Sequence, residues 1–539
     1  MAEREKRRGN RHRADMLGVR GVICVSILAA MPILTVRFVA ADAATLLLVP
    51  TVFLITLFLA GEVAWERNTY RGVKQLLKND RRSAAREYRT HMSLFGAFIG
   101  FALTMAGFIL QPLLYGVYAE RAGSRYFVLL ILPGFMLLGA TAAKRGYLRA
   151  SGAGGEVSFV LLLQNVLLLV LPCVFGFFST RHGIKVDALL LTDRYAALYG
   201  AGGILVGIDL ALFVSWLICS LMQLAFRAPD FFAGRKDRVR DSYQHFSAEG
   251  LIPLLILLLL LFDIWRYCHM PLAEEETELA HFLSLGRYAG AALAPMVFAG
   301  TVLCLINMRK IYEIPVRIYK GDRDRAYDRL ADLVRHGVLV SIPVALLCSA
   351  LATPLSWVLI GKADVEAAGF LRLQILAVPL VTFAIMLTLL FIKLGGLRAV
   401  LIGGGASGIV HLGIVIFASG AGGGINAQIA AHLTGLFLYD TIIGLLLAAV
   451  LSYSQDWFSG VFVPFLCAAL ASLPLYLLAS LLTRGIGEIL TMILLSMVGL
   501  VLYLFLITLF HGVTAQELRR IPGGFLFAGF LGGGRGRRR

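Results

Sequence analysis

The sequence predicts an all-α, polytopic membrane protein with about 14 transmembrane helices, each long enough to cross roughly 30 Å of hydrocarbon. Of its 539 residues, 58% are hydrophobic and only 15% are charged. Soluble domains are about 45–50% apolar and about 25% charged. The apolar runs are rich in leucine and do not alternate with polar residues, which favours helices over the strands of a barrel.

The apolar runs divide into two pseudo-symmetric six-helix lobes and two C-terminal helices. The first lobe is predicted to have helices at 17–40, 44–63, 92–115, 126–148, 157–178 and 197–222. The second is predicted to have helices at 250–268, 281–308, 334–358, 366–392, 399–419 and 425–451, and the last pair at 459–482 and 486–511. The predicted domains are a basic N-terminus (1–16), an N-lobe (17–222), a linker (223–249), a C-lobe (250–451), two extra helices (459–511) and a basic tail (512–539).

Basic residues orient the helices. Most of the 50 lysines and arginines lie in alternate connections, and the formal net charge is +17. Because cytoplasmic connections carry the excess of Lys and Arg, both termini are expected in the cytoplasm of a bacterium, with the helices in its inner membrane. The same placement in short connections argues against nucleic acid as a partner. The first apolar run lacks a small-residue cleavage signal and is interpreted as a retained helix.

The chain has none of the motifs that mark common enzymes. It contains no GxxxxGK[ST] phosphate loop, no HExxH and no GxSxG. Its seven cysteines lie in or beside apolar runs without a CxxC pair, so neither a metal site nor a disulfide framework is expected. The sequence therefore predicts no cofactor, no metal and no enzymatic activity, and any active transport must be secondary or use a separate partner.

Two pairs of connections resemble each other six helices apart. After the second and eighth helices, a shared pattern matches Lys78, Asp80, Arg81 and Ala84 to Lys320, Asp322, Arg323 and Ala326. After the fourth and tenth, it matches Lys144 and Arg149 to Lys393 and Arg398. An even shift keeps both halves in the same orientation, as in parallel repeats related by an axis along the membrane normal. That arrangement predicts a cavity between two lobes.

Three segments carry a family resemblance. They are "KNDRRSAARE" with the following helix up to "LLYG", "PGFMLLGATAAKRGYLRASG" with Arg145, Gly146 and Tyr147, and the segment from Ala294 to Gly337. Across roughly residues 45–450 the chain resembles the polysaccharide flippase and stage V sporulation protein B group. That group belongs to the multidrug/oligosaccharidyl-lipid/polysaccharide (MOP) exporter superfamily and is related to MurJ-type lipid II flippases. The first helix lacks the arginine-rich start of the MurJ type, which argues against lipid II itself as the substrate.

The resemblance implies alternating access that moves undecaprenyl-pyrophosphate-linked sugars outward. The expected partners are a lipid-linked saccharide or other amphiphile and the membrane lipids, with H⁺ or Na⁺ coupling, in a chain expected to act as a monomer. A cation-coupled multidrug antiporter of the same superfamily is the alternative, and the sign of the cavity charge distinguishes the two. A membrane-embedded glycosyltransferase or polymerase ranks last, because the longest outer connections, near 179–196 and 266–280, are short.

Arginines suit an anionic pyrophosphate, because the guanidinium stays protonated and binds phosphate through two parallel hydrogen bonds. Arg287, in the eighth helix, and Arg37, near the end of the first, are the candidates, with snorkelling to the interface as the alternative for each. Gln428 and His432 on the twelfth helix join them as substrate-binding candidates. For these two the alternative is that polar side chains join helices together.

Carboxylates inside membrane helices are the candidates for ion coupling or gating. Asp209 in the sixth helix and Asp440 in the twelfth meet this description, with a structural salt bridge as the alternative. Asp263 and Arg266 are expected to pair locally at the end of the seventh helix. Five cations are expected to line an inner mouth: Lys144, Arg145, Arg149, Lys393 and Arg398.

Overall fold

In the computed structural model the described residues are 16–119, 125–225, 251–272, 276–420, 422–451 and 457–514. They are helical with short connections, and no strand occurs within them. The all-α class is therefore confirmed. The predicted basic N-terminus up to residue 15, the linker from 226 and the tail from 515 lie outside the described residues.

The helices follow one another along the chain with few long interruptions. The first ten are α1 Met16–Phe38, α2 Ala41–Ala60, α3 Arg67–Lys78, α4 Arg82–Tyr115, α5 Arg125–Leu130, α6 Leu132–Ala150, α7 Gly154–Leu190, α8 Tyr195–Ala225, α9 Leu251–Cys268 and α10 Glu278–Tyr288. The others are α11 Ala294–Tyr319, α12 Arg323–Ala350, α13 Ala352–Ile360, α14 Val365–Gln374, α15 Val378–Leu394, α16 Leu397–Gly420, α17 Gly424–Leu451, α18 Val463–Ile486 and α19 Glu488–Leu509. Three π-helical segments, Gly61–Glu66, Ala289–Leu293 and Phe458–Phe462, join consecutive helices.

The described part of the chain contains 13 helical segments that are long and apolar enough to cross a membrane. The fourth predicted helix, 126–148, is the exception. It is divided at Ile131 into α5 and α6, and the end of α6 carries the three cations Lys144, Arg145 and Arg149. Allowing for this helix, the prediction of a polytopic membrane protein with about 14 transmembrane helices is confirmed.

Several helices are longer than the sequence predicts. Helix α4 begins at Arg82 rather than at residue 92, and α7 runs through Leu190, over residues predicted as a connection. Helix α11 continues to Tyr319, and α12 already begins at Arg323. Hydropathy marks where a helix leaves the apolar layer, whereas the i→i−4 hydrogen bonds continue past that point. A short amphipathic helix, α3, follows the second membrane helix.

The chain forms two compact units. Unit 1 comprises Met1–Gly290 and Leu397–Ala431, and unit 2 comprises Ala291–Gly396 and His432–Arg539. These units follow packing contacts. The two pseudo-symmetric lobes, 17–222 and 250–451, are a different division, based on internal repetition, and they stay a prediction.

Within unit 1, glycines allow α4 and α6 to pack backbone against backbone. Gly96 lies against the carbonyl of Gly139, and Gly139 lies against the carbonyl of Gly96. One turn further along α4, Gly100 approaches the carbonyl of Phe135 in the same way. Small residues at such crossings bring membrane helices into van der Waals contact, which replaces the hydrophobic driving force that lipid does not supply.

Unit 2 contains the two C-terminal helices, α18 and α19, which pack on α12. The Tyr503 hydroxyl on α19 donates a 3.0 Å hydrogen bond to the carbonyl of Leu339 on α12. Around it lies a buried apolar cluster that includes Cys467 and Ala471 of α18. A second contact joins α11 to α15, where Gly300 lies against Val381.

Candidate functional site

A buried ion cluster joins the π segment after α2, Gly61–Glu66, to the end of α6 in unit 1. Arg145 Nε lies 3.1 Å from Glu66 Oε2, and the two side chains are 1% and 0% exposed. Arg149, 12% exposed, pairs with the other oxygen of the same carboxylate. Two of the predicted inner-mouth cations are thus turned into the protein, where burial strengthens their pairing and makes its loss costly.

Neutral polar groups extend this cluster to α7 and α8. Arg145 Nη1 donates to Gln164 Oε1 at 3.2 Å, and Ser215 Oγ donates to the same oxygen at 2.7 Å. Glu66 is the last residue of the π segment Gly61–Glu66. A Cβ on Gly146 would lie 2.6 Å from the Glu66 carbonyl, so glycine between Arg145 and Tyr147 lets the helices approach closely enough for the pairing.

Lys144 turns away from this cluster, toward α8. Its Nζ donates a 2.5 Å hydrogen bond to Ser220 Oγ and lies 4.1 Å from the centre of the Trp216 ring. The adjacent cation, Arg89 of α4, donates from Nη1 to Gln223 Oε1 at 3.2 Å. The three cations of α6 therefore lie in two different environments: Arg145 and Arg149 beside Glu66, and Lys144 beside α8.

The remaining predicted inner-mouth cations belong to different units. Lys393, at the end of α15 in unit 2, lies 3.7 Å above the ring of Tyr312. Its backbone carbonyl accepts a hydrogen bond from the Tyr319 hydroxyl at 3.1 Å. Arg398, in the first turn of α16 in unit 1, is exposed. Whether the five cations form one mouth stays a prediction.

Arg287 and Arg37 lie on two helices that pack together in unit 1. Arg287 is half-buried in the last turn of α10, and Arg37 is exposed in the last turn of α1. One turn after Arg287, the backbone of Gly290 lies against Pro32 and Val36 of α1. The structure thus brings the segments of the two candidate arginines together, with Arg287 the more enclosed of the two.

Asp209 has a structural partner. Its Oδ1 accepts a 3.0 Å hydrogen bond from the backbone N–H of Gly134, in the first turn of α6. This N–H is one of the donors that a helix start leaves without an intrahelical acceptor. Asp209 therefore caps α6 from a neighbouring helix, next to the break at Ile131. Its predicted role in ion coupling stays a prediction beside this contact.

The polar residues of α17 have separate surroundings. Gln428 is buried in unit 1, and its Nε2 donates to the Asp263 carbonyl at 2.8 Å. His432, the first residue of the second segment of unit 2, is half-buried. Both carboxylate oxygens of Asp440 are shielded from solvent and have no hydrogen-bond partner in the described part of the chain. The neighbouring Tyr439 hydroxyl bonds Thr388 Oγ1 at 2.5 Å.

A second buried polar pair of unit 1 that sequence reasoning missed is Asp263 with His411. Asp263 Oδ1 lies 2.9 Å from His411 Nε2, and each side chain is only 6% exposed. The expected pairing of Asp263 with Arg266 is wrong, because Arg266 Nε donates to Ser419 Oγ at 2.7 Å instead. Both residues lie in apolar helices, which is a reason to suspect function, but spacing along the chain does not reveal a pair formed between α9 and α16.

Comparison with known proteins identifies the fold. No protein-family model and no curated protein sequence matches the chain. The lipid II flippase MurJ, in an inward closed conformation, matches with a TM-score of 0.62 at 12% identity, covering 92% of this chain and 98% of that one. The chain has the MurJ fold. The resemblance predicted from sequence is thereby confirmed at the level of architecture.

Two MATE transporters share this architecture. The eukaryotic MATE transporter AtDTX14 matches with a TM-score of 0.50 at 11% identity, over 82% of this chain and 95% of that one. An outward-facing MATE family transporter of the MOP superfamily also gives 0.50, at 12% identity, over 81% of this chain and 94% of that one. The fold alone therefore does not distinguish the two functions weighed from sequence, and individual residues must do so.

Proposed function

We propose that the chain is a secondary transporter that flips a lipid-linked saccharide, of the undecaprenyl-pyrophosphate type, across the bacterial inner membrane by alternating access. The fold supports a transporter of this superfamily, because the MurJ structure is covered almost from end to end. It does not select the substrate, since MATE transporters have the same fold. The choice between substrates rests on the charges inside the helical bundle.

Arg287 is the observation that carries the proposal. It is half-buried in a helical segment, Glu278–Tyr319, that is long and apolar enough to cross a membrane. An arginine in such a segment is expensive unless it meets water, a partner or an anion. A pyrophosphate is an anion that guanidinium binds well. Arg37, on the helix packed against this segment, adds a second cation to the same part of unit 1.

The other candidate residues are proposed to take part in the same transport of a lipid-linked saccharide. Gln428 and His432 are proposed to contact the sugar or phosphate. The cations Lys393 and Arg398 are proposed to attract the headgroup at the inner mouth, and Arg145 and Arg149, through their pairing with Glu66, to keep α6 in position there. The two predicted lobes would rock around the substrate, and Asp440 is the proposed coupling carboxylate, for H⁺ or Na⁺.

Flipping by purified protein tests this proposal. A fluorescent undecaprenyl-pyrophosphate saccharide is placed in one leaflet of proteoliposomes, and the fraction that becomes protected from a membrane-impermeant quencher is measured. Wild-type protein is expected to flip the lipid. Arg287→Ala is expected to lower the rate by at least about tenfold, the equivalent of one lost charge-assisted hydrogen bond.

The matched control is Arg325→Ala, which removes an arginine that is 74% exposed. It should flip at the wild-type rate, and both variants should retain the wild-type melting temperature. An equal loss in both variants would point to general damage. Wild-type flipping in Arg287→Ala would remove this residue from the path, and no flipping of any lipid-linked saccharide by wild-type protein would contradict the function.

The second candidate is a cation-coupled multidrug antiporter. Asp440 favours it, because a carboxylate that finds no hydrogen-bond partner among the described residues suits a cationic substrate or a proton. Efflux of a cationic dye driven by a proton gradient, and lost in Asp440→Asn, would support this reading. Dye efflux without lipid flipping would replace the first proposal.

The proposed localisation is testable separately. Reporter fusions that fluoresce only in the cytoplasm, placed after residue 539, are expected to be bright, and periplasmic phosphatase fusions at the same place inactive. A reporter inserted between Leu191 and Asp193 is expected to show the opposite. The proposed monomer is expected to give a single-chain mass in native mass spectrometry.

A further inference from the structure

The side chain of His281 lies where α9 and α10 of unit 1 meet, and it is almost fully buried. Its Nδ1 lies 3.0 Å from Glu276 Oε1, with the imidazole 5% exposed and the carboxylate 29% exposed. Its Nε2 lies 3.1 Å from the backbone carbonyl oxygen of Tyr267. Both ring nitrogens therefore face oxygen atoms that accept hydrogen bonds.

These two contacts need two hydrogens on one ring. A neutral imidazole carries a hydrogen on one nitrogen and a lone pair on the other, so it satisfies only one of two acceptors. The imidazolium carries a hydrogen on each nitrogen and satisfies both. Because water reaches the Glu276 carboxylate, this group stays ionised while the enclosed ring holds the additional proton. The geometry thus matches the protonated form of His281.

Aromatic rings favour the same charge state. The Tyr267 ring is parallel to the imidazole, with the two centroids 4.1 Å apart. The ring of Tyr118, in the turn after α4, is stacked on the imidazole at 5.7 Å. A cation within about 6 Å of an aromatic centroid is attracted by the face of the ring. The positive end of the α10 dipole opposes a cation in this turn, so the charge depends on the two acceptors that His281 contacts.

Other charged and titratable groups surround the site. Glu276 and Glu278 both act electrostatically on Tyr118, so two carboxylates lie near the stacked rings and favour a cation beside them. On α2, Asp42 lies at the level of Gly286, more than one turn further along α10. The described groups of α4 and α9 near the site include Tyr115, Cys268, His269 and Arg266, the last of which is bonded to Ser419 of α16.

The protonated ring connects the first turn of α10 to its neighbours. The Tyr267 hydroxyl donates a 3.1 Å hydrogen bond to the His281 carbonyl, so these two residues are joined in both directions. The next carbonyl, that of Phe282, accepts a 2.8 Å hydrogen bond from Thr45 Oγ1 on α2. A change in the charge of His281 therefore acts on the contacts that hold α10 against α9 and α2.

We propose that His281 and Glu276 form a proton-binding site that fastens the first turn of α10 to α9. A proton from solvent reaches the imidazole beside the exposed part of the Glu276 carboxylate, and both acceptors are then satisfied. When the proton returns to solvent, a ring lone pair faces an oxygen atom, and the turn is released. Proton binding does not depend on the proposed function. Its response to the medium outside the cell rests on the proposed orientation, in which the connection between α9 and α10 is an outer one.

Hydrogen exchange tests this assignment on full-length protein in lipid nanodiscs, so a failed transport assay leaves the result unaffected. The amides of the first two turns of α10 are followed by mass spectrometry at about pH 6 and about pH 8, which span the charge change of an ordinary histidine. The rates are corrected for the intrinsic effect of pH on exchange. Wild-type amides are expected to lose about tenfold of their protection at the higher pH, the equivalent of one charge-assisted hydrogen bond.

Two variants and a matched control make the measurement specific. His281→Gln removes the titrating ring, so protection should no longer depend on pH. Glu276→Gln supplies an amide donor to the lone pair of a neutral ring, so protection should stay high at both pH values. His182→Gln, which changes an exposed histidine of α7 in the same unit, should behave like wild type. Equal protection of wild type at both pH values, a pH effect that persists in either of the first two variants, or its loss in His182→Gln would overturn the proposal.

Discussion

Arg145 donates from Nε to Glu66 Oε2 across 3.1 Å, with both side chains almost completely buried. This pair connects the π segment after α2 to the last turns of α6. The Arg-Gly-Tyr sequence, which from composition resembles an exposed basic connection, therefore belongs to a buried contact between the π segment and α6. We call the Arg145–Glu66 pair and its surroundings the buried joint. Gly146 lets the two backbones approach closely, and Arg145 forms the ion pair with Glu66.

Removing one partner of this joint is expected to destabilise the protein strongly. Glu66→Gln leaves two guanidinium groups beside a neutral amide, and loss of one partner of a buried ion pair costs about 3–5 kcal/mol. We expect the free energy of unfolding in detergent, measured by chemical denaturation, to fall by that amount. Arg145→Met combined with Glu66→Gln should cost less than the sum of the single changes, because the two groups interact directly.

The control is a surface pair with the same chemistry. Arg325 lies 3.5 Å from Asp322 and is 74% exposed, so Arg325→Met should cost less than about 1 kcal/mol. If Glu66→Gln lowered the free energy of unfolding as little as this surface change does, water would have to reach the cluster. The description of Arg145 and Glu66 as a buried ion pair would then be wrong.

Two substitutions of Asp209 distinguish a role in capping α6 from a role in ion coupling. Asn keeps an oxygen acceptor for the Gly134 N–H but removes the charge, whereas Ala removes both. A capping role predicts that Asp209→Ala lowers the free energy of unfolding by about 0.5–2 kcal/mol and that Asp209→Asn stays near wild type. Both stability and transport should be measured. Loss of transport in Asp209→Asn at unchanged stability would assign the carboxylate to coupling.

The α4–α6 crossing depends on glycine. A Cβ at Gly96 would collide with the carbonyl of Gly139, and backbone cannot move aside as a flexible side chain can. Gly96→Ala is therefore expected to lower the free energy of unfolding by about 1–3 kcal/mol, as overpacking does. Thermal unfolding followed by fluorescence-detected size exclusion would report the change.

Gly405→Ala is the comparison for this prediction. Gly405 also lies in a membrane helix, α16, but a Cβ there meets nothing within 4 Å. Because Ala is favoured over Gly in a helix by about 0.8–1.0 kcal/mol, this change should be neutral or stabilising. Equal melting temperatures for Gly96→Ala and wild type would mean that the two helices can separate at little cost.

The architecture was predictable from sequence because lipid imposes one rule on every span. Runs of apolar residues must form helices that satisfy their own backbone, so hydropathy alone locates them. The same rule failed at α6, where three cations interrupt the apolar run, and at helix ends such as Leu190 and Tyr319. There the helix continues outside the layer that hydropathy detects.

The candidate site was less predictable, because its contacts join residues that are distant in sequence. Composition could single out Asp209, but not the Gly134 N–H that it caps. Lys144 and Arg145 are neighbours in sequence, yet the helical rotation of about 100° per residue sends them to different environments. Pairs such as Asp263 with His411, 148 residues apart, depend on which helices pack, and the periodicity of a single helix does not contain that information.

The Asp440 carboxylate is expected to lower the free energy of unfolding while serving transport. Its carboxylate oxygens are shielded and have no hydrogen-bond partner in the described part of the chain, and such a group costs about 1–3 kcal/mol. Asp440→Leu should therefore raise the free energy of unfolding by a similar amount, measured by chemical denaturation in detergent. If the carboxylate couples an ion to transport, the same variant should lose gradient-driven transport, because stabilising a functional site commonly removes its activity.

Asp328→Leu provides the reference, since Asp328 is an exposed carboxylate on α12. Its stability should change by no more than about 0.5 kcal/mol, as is usual for surface substitutions. A destabilised Asp440→Leu variant would show that the carboxylate has a stabilising partner in the membrane. A stabilised variant that still transports at the wild-type rate would leave the coupling role to another group, and the buried Asp263–His411 pair would then be the next one to change.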